Sequence, residues 1–313
     1  MQRRLDAIGF THSDPPGEFG NSTEAAVIAF QRSRGLVVDG SCGANTWAAL
    51  IESDFSLGDR LLCLRSPMLR GDDIGDLQLR LGVLGFDPGR VDGIFGHMTQ
   101  EAVGEFQRNA GLVSDSVCGP DTVAALLRLE GRGGRSSVTG LRERENLRRR
   151  VSTLARLRIA IGAKDQTSPT VSKIASALQS AGSTVLLLEG LDWSSQATQA
   201  NSFRADVFIG FMIFEDQRIA EASYYAIPGY ESFGGKLLAE MIISELPASP
   251  GWGVGSIAGM RRTVLRETRP PAVLIHLGDS ESLESSEDLV IASFQIALER
   301  WLAHFSEMVH SPA

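Results

Sequence analysis

Three residues in the C-terminal half have side chains and placement that could do chemistry: Asp165, His276 and Asp279. Each falls at or just beyond a short apolar run that reads as a buried strand, residues 158–162 before Asp165 and residues 272–276 before Asp279. Two carboxylates and an imidazole at the C-terminal ends of strands are oxygen and nitrogen donors. Such a set can hold a divalent metal with a position left open, and the metal then lowers the pKa of its bound water. The plainer alternative makes His276 a partly buried, hydrogen-bonded histidine and Asp165 a loop residue. Donors are scarce here, because no histidine lies between His97 and His276 and no glutamate between Glu145 and Glu189. His304 and His310 fall near the C-terminal end of a helix, where a cation is favoured, and need no further role. Gly251-Trp252-Gly253-Val254-Gly255 reads as a loop and lacks the lysine and strand–helix setting of a phosphate fingerprint.

The elements that must position these residues alternate. Runs at 158–162, 184–188, 206–212 and 272–276 read as strands, and residues 170–181, 232–246 and 285–305 as helices. In the helix at 170–181, Val171, Ile174, Ala175 and Leu178 share a face and Gly182 ends it. Strands alternating with helices predict an α/β domain with a mainly parallel sheet covered on both faces.

The first third of the chain is built differently. Shifting it by 76 residues aligns 1–50 with 77–126 at 24 identical positions, so this region holds two copies of one module. In the second copy, Leu77 to Leu84 has helical spacing and ends at Gly85. Asp87-Pro88-Gly89 is a turn, and Thr99 is placed to cap a helix carrying Ala102, Val103 and Phe106. A third helix starts near Asp121, and Phe95 and Phe106 are expected to fill a small core.

Bulk properties narrow the function classes. The length of 313 residues suggests two or three domains, and 43% hydrophobic with 22% charged residues is ordinary for a globular protein. A net charge of -8 argues against a nucleic-acid partner. No apolar run is long enough to span a membrane, and no signal-like segment follows Met1. Three cysteines without metal spacing fit reduced thiols, which points to the cytoplasm.

Two resemblances follow from these residues. The repeated pattern of Leu77-Gln78, Gly85-Phe86, Asp92-Gly93-x-Phe95-Gly96-x-x-Thr99, Phe106-Gln107, Cys118-Gly119 and Ala125-Leu126 resembles the peptidoglycan-binding domain of cell-wall hydrolases, a small three-helix bundle. Repeat 1 departs from it where Pro16 replaces the equivalent of Asp92. The resemblance implies peptidoglycan fragments or a lipid-linked precursor as ligand, with the exposed groups Asp92, Arg108 and Asp115 as candidates to bind it. Ala205-Asp206-Val207-Phe208-Ile209, Ser223-Tyr224-Tyr225 and the segment 264–275 resemble zinc N-acetylmuramoyl-L-alanine amidases of the amidase-3 type. That resemblance implies an α/β domain whose zinc is held by two histidines and a glutamate, with a second glutamate moving protons. It places the first histidine slot at Asp165, or at Lys164 if the register slips, the second at Met212, and the catalytic glutamate slot at His276. None is the implied residue, so no cofactor and no catalytic residue is expected.

The organisation read from sequence is therefore repeat 1 at 1–53, repeat 2 at 73–130, a basic linker at 131–156 and an amidase-3-like domain at 157–308. In the linker, Leu141 and Leu147 are expected to dock, and Ser136, Ser137 and Thr139 stand near arginines as a Ser/Thr kinase would require. The combination resembles CwlM-type proteins of actinobacteria. It implies a catalytically inactive amidase homologue that regulates or scaffolds cell-wall synthesis in the cytoplasm through protein partners. Two alternatives stand beside it: an active amidase with metal ligands relocated to Asp165, His276 and Asp279, and a non-hydrolytic binder of muropeptide or lipid-linked precursor.

Overall fold

The computed structural model describes residues 1–34, 36–129, 143, 145, 147, 153–163, 169–214, 220–227, 229–246, 255–278 and 286–310, without the side chains of 214 and 306–310. The chain divides into two compact units, Met1–Arg142 and Glu143–Ala313. The division falls inside the stretch read as linker, because Glu143 and Leu147 already pack on the second unit. Leu141 lies outside the described residues.

The first unit is helical: α1 (Gln2–Ala7), α2 (Asn21–Ser33) and α3 (Ala44–Glu52), then α4 (Asp72–Val83), α5 (His97–Asn109) and α6 (Pro120–Arg128). Each set of three surrounds its own small core. Leu5, Val27, Phe30 and Leu50 fill the first. Leu77, Phe95, Phe106 and Leu126 fill the second, together with Leu62 and Leu69 from the intervening segment. The cap of α5 is Gly96, not Thr99. Thr99 sits one turn inside, where its hydroxyl donates to Pro88 O and accepts from Gln78.

The second unit is a seven-stranded sheet in the order β2-β1-β3-β7-β4-β5, with β6 beside β4. The strands are β1 (Arg158–Ala163), β2 (Thr184–Leu188), β3 (Val207–Phe214), β4 (Ala220–Ile227), β5 (Tyr230–Glu231), β6 (Ser256–Met260) and β7 (Ala272–Gly278). β2, β1, β3 and β7 run parallel, and β4 runs antiparallel to β7. Helices cover both faces, as buried parallel strands require. One face carries α7 (Pro169–Ser180), α9 (Phe233–Glu245) and α11 (Glu287–His310), whose Val171, Ile174, Leu238, Ile242, Phe294 and Trp301 pack on Ile161, Ile209 and Ile275. The other carries α8 (Trp193–Ser202) and α10 (Thr263–Glu267) over Ala160, Phe208 and Leu274. Gly162 permits the close seat of α8: a Cβ there would lie 2.1 Å from Gln196 Oε1. Gln196 in turn donates to Ala163 O at 2.9 Å and Leu191 O at 2.8 Å, tying the end of β1 to the helix.

Candidate functional site

Side chains alternate between faces along a strand. On β7, Ala272 and Leu274 pack beneath α8 and α10, so His276 projects on that same face, beyond them. On β3 the same count from Phe208 brings Met212 to that face. The parallel register makes Met212 and His276 direct partners. β4 arrives antiparallel on the other side of β7 and sets Glu221 opposite His276. Met212, His276 and Glu221 thus converge near the C-terminal ends of β3 and β7. His276 Nδ1 lies 3.4 Å from Glu221 Oε1, and His276 is buried. The buried Ser223 hydroxyl lies 3.3 Å from Glu221 Oε1 and 3.3 Å from Met260 Sδ. Arg262, at the start of α10, brings Nη1 to 3.4 Å from Met212 Sδ.

Hydrogen bonding to His276 holds the Glu221 carboxyl below the usual carboxylate range, against the opposing pull of burial; the His276 and Arg262 charges and Ser223 add to it. Burial draws the Arg262 guanidinium below its ordinary value, and the Glu221 charge raises it again. The cluster is a compact arrangement of one carboxylate, one imidazole and one guanidinium over a thioether.

Zinc is the ion that the amidase resemblance implies. At the two slots the structure describes, the residues do not fit it. Met212 offers a soft thioether in place of imidazole or carboxylate, and a guanidinium already lies against its sulfur. His276 occupies the other slot with an imidazole facing Glu221. Asp165, Lys164 and Asp279 lie outside the described residues, as do Ser136, Ser137 and Thr139. His304 stacks edge-on against Phe305, with ring centroids 5.7 Å apart, and the side chain of His310 is not described. Glu221 and Arg262 escaped the sequence reading. Nothing in the run Ala220-Glu221-Ala222-Ser223 marks the glutamate, since only the antiparallel return of β4 sets it against His276.

Of the residues expected to bind ligand in repeat 2, Asp92 and Asp115 hold its turns, and Asp92 is half-buried rather than exposed. Asp92 Oδ1 accepts from Gln78 Nε2 at 3.0 Å and from Ile94 N at 2.9 Å. Asp115 Oδ1 accepts from Gln107 Nε2 at 2.8 Å and from Val117 N at 2.9 Å. The device recurs in each half of each repeat. Gln2, Gln31, Gln78 and Gln107 donate in turn to Thr23, Thr46, Thr99 and Thr122, all at 3.1 Å. Their carbonyl oxygens accept from Gly17, Gly40, Gly93 and Ser116 N–H groups. In repeat 1, where Pro16 stands for Asp92, Gln2 donates to Pro15 O and Glu18 O instead, and Asp14 accepts from Thr23 N and Gly20 N. Arg108 is exposed, with Nη1 3.3 Å from Ser114 Oγ.

The chain is similar to several known proteins. The peptidoglycan binding domain family model PG_binding_1 matches residues 1–50 and 70–126. The N-acetylmuramoyl-L-alanine amidase CwlM of Mycobacterium tuberculosis is 32% identical over 290 residues, covering 83% of this chain and 71% of that protein. The N-acetylmuramoyl-L-alanine amidase CwlL of Bacillus licheniformis is 31% identical over 151 residues, covering 41% of this chain and 42% of its own. Among solved structures, the catalytic domain of CwlV from Bacillus (Paenibacillus) polymyxa aligns over 47% of this chain and 99% of its own at 18% identity and a TM-score of 0.37. Ami1 of Mycobacterium smegmatis aligns over 49% and 100% at 12% identity and a TM-score of 0.40.

Proposed function

Because the chain belongs to the N-acetylmuramoyl-L-alanine amidase family, and carries a pair of peptidoglycan binding domains, we propose that it is a non-hydrolytic member that regulates or scaffolds cell-wall synthesis. The observation that carries this reading is the contact between Arg262 and Met212. Zinc hydrolysis of an amide asks for a cation held by nitrogen and oxygen donors, and a carboxylate beside its water. A guanidinium set against a thioether opposes the first need, and an imidazole in the glutamate slot alters the second. In this reading the helical repeats supply affinity for peptidoglycan fragments or a lipid-linked precursor. The α/β unit supplies a surface for protein partners, with Ser136, Ser137 and Thr139 as the positions where a Ser/Thr kinase would act.

The cysteines support a reducing, cytoplasmic setting: Cys42, Cys63 and Cys118 are free thiols. Burial pushes the Cys118 thiol up to about 12, so it is inert rather than reactive. Among the described residues no helix is long and apolar enough to cross a membrane.

The test is a hydrolysis assay of the zinc-loaded full chain on a soluble muropeptide, beside sedimentation with insoluble peptidoglycan. Sedimentation without release of free stem peptide is the expected result. Time-dependent release that His276→Ala abolishes would overturn the reading.

A further inference from the structure

The two repeats share a sequence pattern but differ in what covers them. In repeat 2, the segment before α4, which bends at Ser66-Pro67, lies across one side of the bundle. Leu62 pairs with Cys118 through two backbone hydrogen bonds, Leu62 N to Cys118 O at 3.2 Å and Cys118 N to Leu62 O at 2.8 Å. Further along, Phe95 N donates to Leu69 O at 3.0 Å and Gly71 N to Gly93 O at 3.1 Å. Under this strap Phe95 and Cys118 are 0% exposed and Val123 is 7% exposed.

The equivalent positions in repeat 1 are Phe19, Cys42 and Trp47. Here Phe19 is 52% exposed, Trp47 is 40% exposed and Cys42 is half-buried. Among the described residues no segment lies over them as the strap lies over repeat 2. The Phe19 N–H and the Cys42 N–H and C=O, whose counterparts pair with the strap, make no backbone hydrogen bond among the described residues. An apolar patch bordered by open strand-pairing groups is what an added strand recognises.

We propose that this face of repeat 1 is a docking site for an extended, leucine-bearing strand of a partner polypeptide, seated as residues 57–70 are seated on repeat 2. The geometry sets its chemistry: two leucines seven residues apart, placed like Leu62 and Leu69, and then a basic residue. The basic residue follows from charge. Arg70 bridges Ile94 in repeat 2, and the position equivalent to Ile94 in repeat 1 is the exposed Glu18. An arginine there would face a carboxylate across the pair, a favourable cross-strand match.

The experiment titrates the full chain with a synthetic peptide of residues 57–70 carrying Cys63→Ser, followed by calorimetry and by the change in tryptophan fluorescence that Trp47→Phe removes. Saturable binding is expected, weakened about tenfold or more by Phe19→Asp, as loss of a buried aromatic implies. Replacing the peptide leucines that correspond to Leu62 and Leu69 by alanine should abolish it. Glu18→Arg should weaken it and be rescued by a peptide whose last residue is changed from arginine to glutamate. Phe19 is half exposed, so its variant should fold, and a thermal melt checks this. Absence of saturable binding at millimolar peptide would overturn the proposal, as would binding indifferent to Phe19→Asp. Self-association of the chain that Phe19→Asp disperses would also overturn it, by assigning the face to a second copy.

Discussion

Met212 and His276 are register partners on adjacent parallel strands, and the guanidinium of Arg262 reaches the Met212 sulfur. The resemblance to amidases places a metal histidine and a catalytic glutamate at these strand ends, and this chain has a thioether and an imidazole there. The neighbouring cation is part of the chain. The sheet supplies the positions; the side chains supply different chemistry.

Glu143 fastens the start of the second unit. Its carboxylate accepts from the Ser232 hydroxyl at 2.6 Å, Phe233 N at 3.2 Å and Gly234 N at 3.1 Å, at the N-terminus of α9. A carboxylate there satisfies orphan donors and meets the positive end of the helix. Glu143→Ala should cost about 1–2 kcal/mol by this reasoning. Thermal denaturation gives the number.

Ser116 sits at φ 58, where the equivalent Gly40 has φ 70. A side chain in the left-handed region is strained, and glycine removes the strain. Ser116→Gly should therefore stabilise repeat 2 by about 0.5–1 kcal/mol, read as a shift in denaturant midpoint at constant slope. A loss of stability would mean that the serine contributes a contact beyond its backbone.

Acid should loosen the repeats. Bonding from Val117 N and then Gln107 holds the Asp115 carboxyl below 3.8, and Ser41 N and then Gln31 do the same for Asp39. A carboxyl lowered in the folded state stabilises it fully above its unfolded value, and that stabilisation disappears as pH falls through the lower folded value. Helical circular dichroism followed down from pH 5 should show the loss below about 4. Asp115→Asn can still accept both bonds through its amide oxygen, so this variant should lose part of the acid sensitivity while keeping the turn.

Much of this was legible in the sequence, for a physical reason. β1, β2, β3 and β7 are continuous apolar runs, and α7 shows its buried stripe directly, so period and length sufficed. The repeat was visible as identity at a fixed shift. Other elements were not legible. α8 reads Trp-Ser-Ser-Gln-Ala-Thr-Gln-Ala-Asn-Ser, with little apolar periodicity, although Asp192 caps it and accepts from Ser194 N and Ser195 N. β6 is five residues long at the edge of the sheet. Thr99 looked like a cap and proved to be part of a buried lock, because its partner Gln78 is 21 residues away. The Glu221–His276 contact depends on strand order, which no local pattern carries.

Zinc binding by the α/β unit separates a non-hydrolytic member from a working amidase. Elemental mass spectrometry of the tag-free chain, loaded with excess zinc at neutral pH and then dialysed, measures this directly. The expected stoichiometry is near zero. A value of about one zinc per chain, lost on His276→Ala, would contradict the account and make this a working metal site.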